Sequence, residues 1–220
     1  MNPTPHAIAA LALFCSPQFS KAFLRNAAIQ LAVFTPVSLI PGWRTERMSY
    51  VDVSWPAGLV SIALQLPFLS SDGNWLRKAL ATAAYLIQGG RMLSGALNLW
   101  SLGHLNREMP RYVYQRIRWA RKGIVPGSAW YKPQLVWEVY MQALANTCFL
   151  AVPGFILGTD TASVGASEAV GWCCWLGSIW FEHTPDLQKL AFLQQQKREG
   201  RVGSVCNVGF WSRSRHPNCK

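Results

Sequence analysis

The chain has 220 residues, a pI near 9.8 and a formal net charge of +11. Half of its residues are hydrophobic and 14% are charged, against roughly 25% in typical soluble domains, which argues against a water-soluble helical bundle. The six cysteines form no CxxC pair, so neither a zinc site nor a disulfide framework is expected.

The N-terminal stretch MNPTPHAIAALALFCSPQ lacks the basic region of a cleaved signal peptide, so insertion into a membrane is expected from the body of the chain. Residues 7–14 predict a helix too short to span. Residues 26–43, 53–71 and 139–159 contain no Asp, Glu, Lys or Arg. Each approaches the roughly 20 residues that a helix needs to cross a bilayer. Residues 78–103 form a fourth run, interrupted by Arg91, with Gly89 and Gly90 permitting close backbone approach. Residues 164–181 form a fifth, interrupted by Glu168 and carrying Trp172, Trp175 and Trp180. Eleven tryptophans in the chain fit a protein with two membrane–water boundaries.

Charge tests these spans independently. Residues 104–132 hold seven Lys/Arg against one Glu, and residues 183–220 hold seven against two acids, which together make up the whole +11. Two proposed spans separate the segments, so both fall on one side, the cytoplasmic side by the positive-inside rule. Ionisable groups near or within spans are costly there and mark function by default; they are Asp52, Arg91, Glu138 and Glu182.

Towards the C-terminus, Thr184-Pro185-Asp186 reads as a helix start: a hydroxyl N-cap, a proline at the first helical position and an acid in the first turn. Leu187, Leu190, Ala191 and Leu193 then fall on one face, and Gly200 stands at the expected stop. Beyond it Arg213 and Arg215 bracket Ser214 ahead of His216-Pro217-Asn218, a set of groups that suits an anionic, hydrogen-bonding ligand. The fold class expected is all-α. It is a single polytopic membrane domain over residues 1–220, with about five spans and a C-terminal amphipathic cytoplasmic helix.

Three motifs, in order, carry a resemblance: VDVSWPAG, then REMPRYVYQRIRW, then DLQK with GFW and SRHPN. Together they resemble the steroid 5-alpha-reductase superfamily, in the branch long catalogued only as a membrane domain of unknown function. Met109 stands where that family commonly has an aspartate, and the match stops at Asn218. The tyrosine-phenylalanine-glycine-glutamate and the last span usual in the family do not follow. The resemblance implies an NADPH-dependent reductase acting on a carbon–carbon double bond of a lipid or steroid-like substrate. The expected location is the endoplasmic reticulum or another cytoplasm-facing membrane, with the C-terminus cytoplasmic.

By that resemblance Asp186 and Asn218 match positions that hydrogen-bond the cofactor. Arg215 and His216 occupy the adjoining turn, Lys189 is a second phosphate contact, and Arg111 and Tyr112 complete the pocket from the other basic loop. No GxGxxG follows a strand, so the binding is not of Rossmann type. For the proton half of the reduction Asp52 is the expected acid, with Tyr50 or Tyr85 as its partner. Expected partners are an apolar lipid or steroid-like small molecule and membrane lipids, with no nucleic acid. A rival reading is an S-adenosylmethionine-dependent methyltransferase resembling isoprenylcysteine carboxyl methyltransferase, which also carries an Arg-His-Pro turn. A third is a truncated, non-catalytic membrane protein.

Overall fold

In the computed structural model of the chain, which describes residues 4–201, 204–214 and 217, every regular element is a helix. The α-helices are α1 (Thr4–Cys15), α2 (Ser20–Phe34), α3 (Ile40–Thr45), α4 (Val51–Gln65) and α5 (Trp75–Ser101). They continue with α6 (Pro110–Ala120), α7 (Tyr131–Thr147), α8 (Val152–Thr159) and α9 (Ala166–Arg198). Three stretches are long and apolar enough to cross a membrane: Ser20–Thr45, Val51–Phe68 and Tyr131–Thr159. The three charge-free runs of the sequence fall on them. Within the first, α2 passes into α3 through a π-helical turn, Thr35–Leu39, in which Pro36 withholds an N–H from the ladder.

The chain divides into two compact units, Met1–Ser163 and Val164–Lys220. In the first, α4 is the central element and packs against α2, α5 and α7. Leu59 and Ile62 of α4, and Leu66 just after it, meet Phe155 of α8 in one apolar cluster. Burying each such side chain contributes about 1.5–3 kcal/mol. The approach of α5 is set by Gly89, where a Cβ would lie 2.9 Å from the Leu59 Cβ; at Gly90 there is open space.

A second set of contacts on α4 is polar. Asn26, Gln30 and Asn146 are all 0% exposed. The third of these stretches is broken between α7 and α8, and the break strands the last two carbonyls of α7. Asn26 Nδ2 donates to both, the Asn146 and Thr147 oxygens, at 3.3 and 3.2 Å. Gln30 Nε2 donates to the Gly58 carbonyl at 3.1 Å, and Asn146 Nδ2 donates to the Trp55 carbonyl at 2.9 Å. Carboxamides satisfy buried backbone without bringing a charge into the apolar interior.

The second unit corrects the expected helix start. Thr184-Pro185-Asp186 does not open a helix: α9 runs through Pro185 without interruption. Thr184 Oγ1 turns back and donates to the Trp180 carbonyl at 2.8 Å instead of capping forward. Proline's fixed φ is compatible with a helix, but its missing N–H takes the ladder bond from the Phe181 carbonyl. Leu187, Leu190 and Leu193 are exposed on this helix, and Gly200 has φ +64, as a residue closing a helix should. The 3-10 turn Gly209–Ser212 folds back onto α9: Phe210 N donates to Gln188 Oε1 at 2.9 Å and Trp211 Nε1 to the Pro185 carbonyl at 2.7 Å. Phe181 and Phe210 meet edge to face at 5.1 Å. The DLQK and GFW motifs are therefore one packed feature.

Candidate functional site

The site is built at the N-terminal end of α4. Glu46, at φ +58, reverses the chain after α3, and its carbonyl accepts from Arg116 and, at 3.1 Å, from the Tyr131 hydroxyl. Glu108 then gathers the next turn. Its carboxylate accepts from Met48 N at 3.0 Å, Ser49 N at 3.0 Å and Ser49 Oγ at 2.6 Å, and pairs with Arg116 at 2.8 Å. Ser49 Oγ in turn accepts from Met109 N at 2.8 Å. A carboxylate facing unpaired N–H groups just ahead of a helix is also favoured by the helix dipole. Glu108 is thus saturated, and it fixes both the start of α4 and the start of α6, where Pro110 stands in the first turn.

One turn further, Asp52 faces α6. Tyr112 Oη donates to Asp52 Oδ1 at 2.6 Å, and Arg111 lies 3.2 Å from Oδ2. Oδ2 is buried and has no hydrogen bond among the described residues, because the Arg111 approach is close but poorly aligned. The Arg111 side chain is 64% exposed and also lies over the Tyr112 ring at 5.8 Å. Burial, and then the negative charge of Asp52, push the Tyr112 phenol well above the ordinary tyrosine range. At neutral pH it keeps its proton and acts as a donor. The result is a sheltered acid–phenol pair with a guanidinium at its wet edge.

Asp52, Arg111 and Tyr112, which the sequence assigned to two different tasks, meet in this cluster. Tyr50 takes another place: it is buried ahead of α4, its hydroxyl accepts from Arg47 at 2.8 Å and its ring meets Trp100. The phenol that reaches Asp52 is Tyr112. In the second unit, Asp186 follows Pro185 within α9, and the Lys189 ammonium lies 4.7 Å from the Trp211 ring centroid. Arg215, His216 and Asn218 lie outside the described residues. Sequence reasoning missed Glu108, Ser49 and Arg116 as parts of the site. Glu108 stands inside the quoted REMPRY motif, but Met48 and Ser49, which it binds, lie about sixty residues earlier, and no local pattern connects them to it.

A family model described as "Protein of unknown function (DUF1295)" matches residues 40–219, and the chain belongs to that family. No curated protein and no solved structure matches the chain.

Proposed function

We propose that this member of the family is an NADPH-dependent membrane reductase acting on a carbon–carbon double bond of a lipid or steroid-like substrate. The observation that carries the reading is the 2.6 Å Tyr112–Asp52 hydrogen bond, which unites VDVSWPAG and REMPRYVYQRIRW, two motifs that resemble the steroid 5-alpha-reductase superfamily. In this reading α5 and the first half of α9 are the fourth and fifth spans. The remainder of α9 is the amphipathic cytoplasmic segment, and the membrane is that of the endoplasmic reticulum or another cytoplasm-facing compartment.

In this reading Arg111 is the residue of the cluster that would meet the dinucleotide. Arg111 offers an exposed guanidinium, a donor that would suit a phosphate oxygen. When bound, NADPH supplies the hydride. The chain supplies the proton half. A proton carried on Asp52 Oδ2 is the one delivered to the substrate, and Tyr112 at Oδ1 stabilises the carboxylate left behind. Arg111 adds charge to the same end. Glu108 holds the loop that aims Asp52, without touching it.

The test is a titration of the purified full chain with NADPH and, separately, with S-adenosylmethionine, following thermal unfolding. The reading expects a rise in Tm with NADPH alone, reduced in Arg111→Gln. A rise with S-adenosylmethionine alone would assign the chain to the methyltransferases, and no rise with either would remove both enzymes.

A further inference from the structure

Helix α6 is built inside out. A helix of a soluble domain turns its apolar stripe inward and its polar residues to water. Here the inward stripe, Tyr112, Gln115, Arg116 and Trp119, is mostly polar. Tyr112 holds Asp52, Gln115 donates to Glu138 at 3.3 Å and Arg116 pairs with Glu108 at 2.8 Å, so that Trp119 alone is buried as an apolar anchor. The outward stripe carries Val113, Tyr114 and Ile117, respectively 43%, 63% and 47% exposed. Arg118, Arg121 and Lys122 extend the same outer surface, are exposed, and have no acidic partner among the described residues.

We infer that α6 is a membrane-surface helix whose outer stripe lies in the headgroup layer and engages anionic phospholipid. Three observations select that occupant over water or a second copy of the chain. Apolar side chains and unpaired cations share one stripe, which is the pattern of helices that lie in the interfacial plane. The stripe adjoins a membrane-spanning candidate: α7 begins Tyr131–Thr159 after a short loop, and Trp130 just before it is 71% exposed, at the level where tryptophan collects. The segment's one acid, Glu108, is turned inward, so a second copy meeting this face would bring cation against cation. Anionic headgroups give each such cation about a fivefold gain in attraction. The inference concerns attachment and does not rest on the reductase reading.

The test uses the full chain with its native cysteines replaced by serine and an environment-sensitive fluorophore on Ile117→Cys, in nanodiscs of phosphatidylcholine with or without phosphatidylglycerol. The expected result is blue-shifted emission with phosphatidylglycerol. The shift shrinks severalfold in pure phosphatidylcholine, in high salt, and in Arg118→Gln/Arg121→Gln/Lys122→Gln. Water-like emission in both lipids overturns the inference; if the chain is then also dimeric, a second copy covers the stripe. An equal blue shift in both lipids, unchanged in the triple variant, overturns the anionic part.

Discussion

The polar neighbours of helix α4 along its middle and those at its N-terminal end are made of different materials. Along its middle, Gln30 and Asn146 reach the Gly58 and Trp55 carbonyls with neutral carboxamides. At its N-terminal end, Asp52 and the backbone of Met48 and Ser49 meet Tyr112, Arg111 and Glu108. The middle of a span is where a charge costs at least about 2.5–3.5 kcal/mol, so amides do the joining there. The end adjoins the basic loop, and charge is admitted there. The two carboxylates at that end also differ. Glu108 is saturated and only 6% exposed, whereas Asp52 keeps one oxygen without a hydrogen bond among the described residues. The proposed proton carrier is the one with an oxygen that accepts no hydrogen bond among the described residues.

The largest expected effect falls on the charged end. Asp52→Asn should lower turnover by about 10²-fold or more while Tm and helix content stay near wild type. A large loss of Tm with turnover per folded molecule preserved would move Asp52 to the structural side of the comparison. The carboxamide cluster should behave in the opposite way. Asn26→Leu leaves the Asn146 and Thr147 carbonyls without their donor and should cost about 2 kcal/mol in equilibrium unfolding, with activity per folded molecule unchanged. Gly58→Ala sharpens the same point. Its Cβ would collide with Asn146 Nδ2 and Gln30 Oε1, and a loss of about 1–3 kcal/mol is expected.

A smaller effect comes with pH. Below the ordinary tyrosine value of about 10, folded and unfolded chains both hold the Tyr112 proton, and stability does not depend on it. Above that value the unfolded chain releases a proton that the folded chain retains, because burial raises the folded value. Stability therefore falls as pH rises beyond about 10, and Tyr112→Phe should make the fall shallower in a Tm-against-pH series. The smallest effect is expected from Lys189→Gln, which removes the ammonium lying over Trp211 in an exposed setting. It should cost no more than about 1 kcal/mol in the same assay.

The parts of this structure that were legible in the sequence are those written along it. Three charge-free runs became the three membrane-crossing candidates; of the Gly89–Gly90 pair only Gly89 meets a close neighbour, and Gly200 takes the positive φ expected at a helix end. What escaped was decided across space or by competition. Tyr50 is two residues from Asp52 on the chain, yet the hydroxyl that arrives comes from Tyr112, sixty residues on. The break between α7 and α8 lies in an unbroken apolar run. Pro153 marked the place, but hydropathy is blind to a helix that stops and restarts. At Pro185 a complete local start signal was overridden, because the hydroxyl that would cap forward bonds backward and the aromatic turn packs beside it.

The central claim is that the Asp52–Tyr112 pair handles the proton of an NADPH-dependent reduction. Its most direct test is NADPH consumption by the reconstituted full chain with a panel of unsaturated sterols and lipids, in wild type and in Asp52→Asn. Wild type should consume NADPH with formation of a reduced product, and the variant should lose this with NADPH binding intact. Unchanged consumption in the variant, or none in a wild-type protein that binds NADPH, would contradict it.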